Sequence, residues 1–402
     1  MPKGAIDRFM DRQKTEMAFL KAAETRDQQM REHKLNYLFW EATLACNFNC
    51  RHCGSDCSKS VKTHNELKAE EIIGVFKDVA ANFNPRKVML AITGGEPLMR
   101  PDLCYIMGEA SKMGFPWGMV TNGYNVTPKL VKDLKKAGLR TLVVSLDGDE
   151  EDHVWLRGPQ KAYANAIRAI ELFQAADYLK IIQITTTITK RNQHKLDEMY
   201  RLVGGLGIDE WRILTVFPNG RAQFDKELLL NPDEYEQVFE WISRMRRMPK
   251  SRRLVPKLYF GEEGFLGHKW ERKVRGHWYV CKAGYSIGGI LANGDITACP
   301  NLPRQFVQGN VREESFVNVW NNKYQLFRDR SWMKTGECKS CSYWDYCQGN
   351  SMHLWDVKNN ETKICHVKML GESRDKGAIR RIFGDLTDKK QKEEDPAAAS
   401  AE

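Results

Sequence analysis

The sequence has no run of apolar residues long enough to span a bilayer, which excludes an α-helical membrane protein. Its first 34 residues are charged throughout and lack the apolar stretch of a signal peptide, so a cytoplasmic protein is expected. Eleven cysteines in a 402-residue chain without such a signal argue against a disulfide framework and for reduced thiols that bind metal. No known RNA-binding module is apparent, and nucleic acid is not an expected partner. The net charge of +10 is spread along the chain. It thickens at Arg244, Arg246 and Arg247 and again at Lys250, Arg252 and Arg253. These clusters read either as a docking surface for an acidic partner or, by default, as a solvated helix end and loop.

The 42% apolar content supplies a core, and the length suits two domains. Residues 1–35 read as an amphipathic helix with a stripe of Ile6, Phe9, Met10, Met17 and Leu20. Residues 36–258 alternate strand and helix signals. Strands are expected near 37–43, 87–93, 117–121, 141–146, 180–187 and 211–216. Helices are expected near 66–82, 102–113, 127–137, 161–175, 193–203 and 232–246. Thr63 or Asn65 is a candidate cap for the first of these, and Asn231 followed by Pro232 for the last. Such alternation means an α/β fold with a parallel sheet, and six units fit a partial (β/α)6 barrel. Residues 259–370 differ: periodicity weakens, cysteines and aromatics gather, and 286–299 reads as a hairpin around Asn293 and Gly294. A small C-terminal iron–sulfur-binding domain would look like this. Residues 371–402 read as an extension whose charged end, after Asp388, is disordered.

Cys46, Cys50 and Cys53, spaced C-x3-C-x2-C, put three thiols on one short loop after the first strand. Three thiolates can hold three irons of a four-iron cluster and leave the fourth open to a small molecule; closed zinc and ferredoxin-type sites use four ligands. Three further motifs fall where strands end: Gly94, Gly95, Glu96 and Pro97; then Thr121, Asn122 and Gly123; then Ser145, Leu146, Asp147 and Gly148. Barrel active sites lie at the C-terminal ends of the strands, so all four motifs share one face.

This series, in this order over residues 36–368, resembles the radical S-adenosylmethionine (SAM) enzymes. The resemblance implies that Cys46, Cys50 and Cys53 ligate a [4Fe–4S] cluster whose open iron chelates SAM. It implies that Gly94, Gly95, Glu96 and Pro97 receive the amino end of SAM, Glu96 through a charge-assisted hydrogen bond. Asn122 and Ser145 would face the ribose or carboxylate. Arg157 is either a carboxylate partner or a structural salt bridge, and Arg212 and Arg221 are weaker candidates for the same pocket. His52 is expected to pack near the adenine or the cluster. An open low-potential cluster is oxygen-sensitive, so an anaerobic or microaerobic host is expected.

Cys338, Cys341 and Cys347, spaced C-x2-C-x5-C, with Cys365 beyond, resemble the SPASM extension of these enzymes, as does the spacing from Gly294 to Cys299. The resemblance implies an auxiliary [4Fe–4S] cluster on Cys338, Cys341, Cys347 and Cys365, with zinc as the metal alternative. The sequence departs from the SPASM pattern at a second auxiliary cluster: Ser351 stands where a cysteine is expected, and only Cys281 and Cys299 remain for it. That cluster is absent, or uses ligands such as His277, Ser351 or His353, or keeps open coordination for substrate. Cys104 reads as a buried helix residue, and Cys57 as a free thiol that could also bind substrate or cap the segment after it.

The resulting expectation is an enzyme that cleaves SAM reductively and oxidises a peptide or small protein by crosslinking, epimerisation or side-chain oxidation. A low-potential donor such as flavodoxin or ferredoxin would reduce it. The alternative substrate is a small molecule or tetrapyrrole. A non-catalytic iron–sulfur electron carrier is a third reading, against which the Gly94–Pro97 motif speaks.

Overall fold

A computed structural model describes residues 3–61, 63–261 and 263–371, with side chains from residue 13 onward. The chain opens with helix α1 (Lys3–Glu32) and then alternates. The elements are β1 (Tyr37–Glu41), α2 (Ala69–Asn82), β2 (Met89–Thr93), α3 (Leu103–Lys112), β3 (Trp117–Thr121), α4 (Pro128–Lys136) and β4 (Leu139–Ser145). They continue as α5 (Glu150–Arg157), α6 (Ala162–Ala176), β5 (Ile181–Ile188), α7 (Leu196–Gly205), β6 (Glu210–Thr215), α8 (Pro232–Arg247) and β7 (Lys257–Phe260). Beyond them lie α9 (Gly267–Val274), β8 (Ile287–Ile290), β9 (Asp295–Thr297) and β10 (Gly309–Asn310). Among the described residues no helix is long and apolar enough to cross a membrane.

The strands form one sheet in the order β10-β9-β8-β1-β2-β3-β4-β5-β6-β7. β1 to β7 run parallel in chain order, and the two edges, β7 and β10, do not pair with each other. The sheet is therefore an open, partial barrel, as six or more βα units without closure require. Parallel strands are covered on both faces, and the core holds Trp40, Trp117, Trp211, Phe76, Phe115 and Phe173, all nearly or wholly excluded from solvent. Helix α2 shows how the outer layer attaches: Ile72, Ile73, Val75, Phe76 and Val79 recur at helical spacing and are buried.

Each of the six expected strands and six expected helices forms, with ends shifted by a few residues. Asn231 caps α8 by accepting from Glu234 N at 2.9 Å, while the Glu234 carboxylate accepts from Asn231 N at 2.7 Å. Neither Thr63 nor Asn65 caps α2. That helix starts at Ala69, where Glu71 reaches back to Lys68 N at 2.7 Å, and Asn65 instead accepts from Arg312. Helix α5 was hidden because it follows the Asp147 motif within five residues, too close for a separate periodic signal.

The hairpin at 286–299 is present, with Gly294 at φ +90°, a conformation suited to glycine. It is not walled off from the barrel: β8 pairs in parallel with β1 from Tyr37 with Ile287 to Trp40 with Ile290. Helix α1 packs on the C-terminal part of the chain. Phe19 is fully buried, with ring centroids 4.5 Å from Tyr346, 4.8 Å from Trp278 and 4.4 Å from His268. Arg26, one helical stripe further on, donates to the backbone oxygens of Asp345 and Tyr346. Of the expected stripe, Met17 is exposed, and Ile6, Phe9 and Met10 lie outside the residues whose side chains are described. The expected disordered end after Asp388 also lies outside the described residues. In the basic clusters Arg246 and Arg253 donate to backbone carbonyls of Lys273, Leu258, Met248 and Arg246, which favours the bland reading for those two.

Candidate active site

One cavity of about 300 Å³ sits at the C-terminal ends of the strands. Cys46, Cys50, Cys53, Gly94, Gly95, Glu96, Asn122, Ser145, Arg157, Arg212 and Arg221 all reach its wall; Pro97 lies one residue behind it, buried. Strand ends explain the gathering: β1, β2, β3 and β4 stop beside one another, and each releases its motif on the same rim.

The glycines serve the cysteine loop directly. A Cβ on Gly94 would lie 2.3 Å from the Thr43 oxygen, and one on Gly95 2.3 Å from the Ala45 oxygen. Gly95 N donates to Thr43 O at 2.8 Å and Glu96 N to Ala45 O at 2.9 Å, so the motif clamps the backbone that leads into Cys46. Gly220 does the same from the far side. At φ +56° it places its Cα against the backbone oxygens of Cys53 and Gly54, where a Cβ would come within 2.5 Å. Arg221 then donates to Cys50 O at 2.8 Å and Cys57 O at 3.1 Å and pairs with Asp56 at 2.6 Å. Its role is a strut for the loop. Asn122 is also a strut, through Asn47 Oδ1 at 2.8 Å.

Glu96 is fully buried. It accepts from Thr121 Oγ1 at 2.8 Å, Asn122 N at 2.7 Å and Leu98 N at 3.1 Å, yet has no cation at hydrogen-bond distance, and burial pushes its carboxyl up. Asp147 is the opposite case. Burial works to raise its carboxyl, but Arg157 foremost, with His52 and His153, holds it at about 2. The Arg157 Nε donates to Asp147 Oδ2 at 2.6 Å, and the guanidinium also reaches the Cys50 sulfur. Sequence reasoning named Arg157 but passed over Asp147 as its anchor; an acid at a strand end, ten residues before an arginine, was the available signal.

The three thiols differ. Burial raises Cys46 to about 11 and also raises Cys50. Cys53 is held at about 5, chiefly by the neighbouring Cys57, against burial, with Arg221 assisting; the Cys57 thiol itself lies 3.7 Å from Ser55 O. Cys57 is thus a buried partner of Cys53. Cys104 is half-buried on α3 against the core. His52 is half-buried, and its burial lowers it to about 3, so it is neutral; its Nδ1 and the Arg212 Nε are buried without a partner among the described residues. A buried carboxylate short of a cation, a buried guanidinium nitrogen short of an acceptor and three convergent thiols fit an amino-acid-bearing cofactor on an iron–sulfur cluster.

In the C-terminal region burial raises the thiols of Cys338, Cys341, Cys347 and Cys365, Cys338 to about 12, and neighbouring thiols of the group raise Cys338, Cys347 and Cys365 further. Cys299 is pushed to about 12 by burial, with Cys281 adding to it. The Ser351 hydroxyl bonds the Tyr279 hydroxyl at 2.5 Å. His353 lies against the Phe217 ring at 4.7 Å, and His277 lines a groove with Lys21 and Thr25 of α1. Among the described residues no three His, Cys, Asp or Glu side chains converge tightly enough to grip a single ion. A cluster asks less, since each thiolate takes a different iron.

The radical SAM superfamily profile matches residues 40–203, and the SPASM iron–sulfur cluster-binding domain matches residues 281–342. The AdoMet-dependent heme synthase of Methanosarcina barkeri is 31% identical over 327 residues, spanning 77% of this chain and 89% of that protein. The mycofactocin maturase MftC of Mycobacterium tuberculosis is 31% identical over 323 residues, 78% of each chain. Native anSMEcpe with bound AdoMet shares the fold at a TM-score of 0.65 and 19% identity, covering 88% of this chain and 99% of that one. The chain belongs to the radical SAM superfamily and carries a SPASM iron–sulfur region. It is a radical SAM enzyme that uses [4Fe–4S] clusters and SAM.

Proposed function

We propose that the protein oxidises a peptide or small protein, one side chain of which enters the cavity beside SAM. The observation that carries this is the second group of four cysteines, Cys338, Cys341, Cys347 and Cys365, in and beyond the SPASM region, which would hold an electron acceptor for a net oxidation. The peptide-modifying relative MftC is consistent with it. Cys46, Cys50 and Cys53 would hold the SAM cluster, and Cys338, Cys341, Cys347 and Cys365 the auxiliary one; Cys281 and Cys299 form a separate pair. Glu96 would take the SAM ammonium, which supplies the cation it lacks, and Ser145 and Arg157 the carboxylate end. Bound there and reduced, this cofactor pair supplies a carbon radical that removes a hydrogen atom from the substrate. The cytoplasm and a flavodoxin- or ferredoxin-type donor complete the reading.

A second reading, oxidation of a carboxylate-bearing porphyrin, is favoured by the heme synthase relatives and by Arg212, which lines the cavity, has a buried Nε without a partner among the described residues, and would pair a propionate. Intact-mass spectrometry of small proteins encoded beside the gene, co-expressed anaerobically, separates the two. Loss of about two hydrogens, dependent on Cys46, supports the first. Unchanged masses together with conversion of an added iron-coproporphyrin would replace it with the second.

A further inference from the structure

Thr215 ends β6 on the cavity wall, and Glu263, in the segment after β7, aims both carboxylate oxygens at it. Glu263 Oε1 accepts from Thr215 N and Oε2 from the Thr215 hydroxyl. On the other side of that hydroxyl stands the Tyr235 hydroxyl of α8, 3.0 Å away. Thr215 Oγ1 therefore donates once, to Glu263, and accepts once, from Tyr235. Its second lone pair is unused, on a residue that lines the cavity.

Glu263 is buried and lacks an ion-pair partner among the described residues. Arg275, just after α9, is one candidate, but it spends its donors on Glu271, Gly261 O and Gly264 O. Arg212 on β6 donates to Thr185 Oγ1 at 3.3 Å. Both act on Glu263 only through space. Among the described residues another titratable group nearby is His366, whose ring lies 5.8 Å from that of Tyr235 and against Gly264, next to Glu263. A carboxylate kept in such a place costs stability, and acids tuned in this way cluster at functional sites.

We propose that Glu263 accepts the proton that the substrate gives up during its oxidation, and that the Thr215 hydroxyl relays it. The proposal rests on the oxidative reading above. That oxidation removes a hydrogen atom, taken up by SAM's adenosyl fragment, an electron, passed to an auxiliary iron–sulfur cluster, and a proton. In the proton step an X–H bond of the substrate breaks and its electron pair stays on the substrate, in the new bond. Thr215 Oγ1 takes that proton and releases its own to Glu263 Oε2. Burial, against the Thr215 bonds and the two arginines, brings the Glu263 carboxyl up to about 7. An acid so poised takes up and returns a proton near neutrality.

Infrared difference spectroscopy of the cluster-loaded full chain, wild type against Glu263→Gln, tests the proposal without any substrate. A protonated-carboxyl band that titrates near pH 7 and disappears in Glu263→Gln is expected. Its deuterium exchange should slow at least tenfold in Thr215→Val and stay fast in Thr215→Ser. No titrating band between pH 5 and 9 overturns the proposal. With a co-expressed small protein as substrate, Glu263→Gln should raise the ratio of 5′-deoxyadenosine to oxidised product by ~100-fold. The acid limb of the rate profile should vanish, with partial rescue in Glu263→Asp. An unchanged ratio and profile in a folded Glu263→Gln protein overturns the relay. Absence of any oxidised product from the wild type, with the band present and its exchange dependent on Thr215, strikes the oxidative reading and the substrate step with it, and leaves only the proton path from Thr215 to Glu263 standing.

Discussion

The two cysteine regions are built on different principles. The Cys46 loop is braced before any metal arrives: Gly94, Gly95 and Gly220 press on its backbone, Arg221 grips its carbonyls, and Asn122 ties down Asn47. One thiol, Cys53, is held at about 5. Of the C-terminal cysteines, Cys338 and Cys347 sit on single turns of helix, Gly336–Ser340 and Trp344–Cys347, and Cys341 and Cys365 at the ends of such turns, with Cys338 pushed to about 12 by burial and by the neighbouring thiols. Pre-organisation of the first site costs strain and polar burial but leaves the loop ready to coordinate. A cluster on the second site would have to offset the repulsion among its own thiolates, so metal binding there is expected to be part of folding.

The largest test of this contrast replaces Cys46, Cys50 and Cys53 together by Ala. Formation of 5′-deoxyadenosine should fall by at least ~1000-fold, while about four irons per chain remain on the C-terminal cysteines. Loss of all iron would break the claim that the regions load independently. Next, Cys347→Ala should lower substrate oxidation by ~100-fold yet spare SAM cleavage. Amide exchange should rise over 336–370 and stay low in β1 to β6, because the barrel does not need that cluster to fold.

Gly95→Ala places a methyl group 2.3 Å from the Ala45 oxygen and should destabilise the protein by roughly 3 kcal/mol, read as a lowered Tm and poorer iron retention. Gly336, at φ +48° beside Cys338 with open space around it, should cost only ~1 kcal/mol on the same change. Equal losses would erase the distinction between a packed loop and a loose one.

The smallest effect is electrostatic. Asp147 sits at about 2 in the folded chain, below its ordinary value near 4, so it contributes stability that is complete above pH 4 and is lost as pH falls toward 2. That contribution is roughly 2 kcal/mol at neutral pH. Asp147→Asn should flatten the acid limb of thermal unfolding by this amount; an unchanged limb would show that Arg157 binds Asp147 without net gain. Glu263 runs the other way: held at about 7, it favours the fold below its ordinary range and loses that as pH rises through 7.

Periodicity made the six βα units legible, because strands buried on both faces and amphipathic helices leave unmistakable patterns, as in Ile72 to Val79. Cysteine spacing gave the candidate ligands, because thiols on one short loop meet whatever the fold does. Bracing was not legible. Nothing in the sequence says that Gly220 lies against Cys53 or that Arg221 faces inward, since these pairs depend on the register of distant loops. The structure adds a role for Gly94 and Gly95 for the same reason: they also allow a close approach of the chain's own backbone at Thr43 and Ala45.

By itself the sequence determined the α/β class, the four motifs on one rim and the two groups of cysteines, all of which follow from short-range spacing and strand order. Only the tertiary structure decided that β8 would extend the sheet beside β1, that α1 would pack on the C-terminal region through Phe19 and Arg26, and that Thr215, Tyr235 and Glu263 would meet. These contacts join residues far apart in the chain, and their energies come from burial and pairing that exist only once the sheet has assembled.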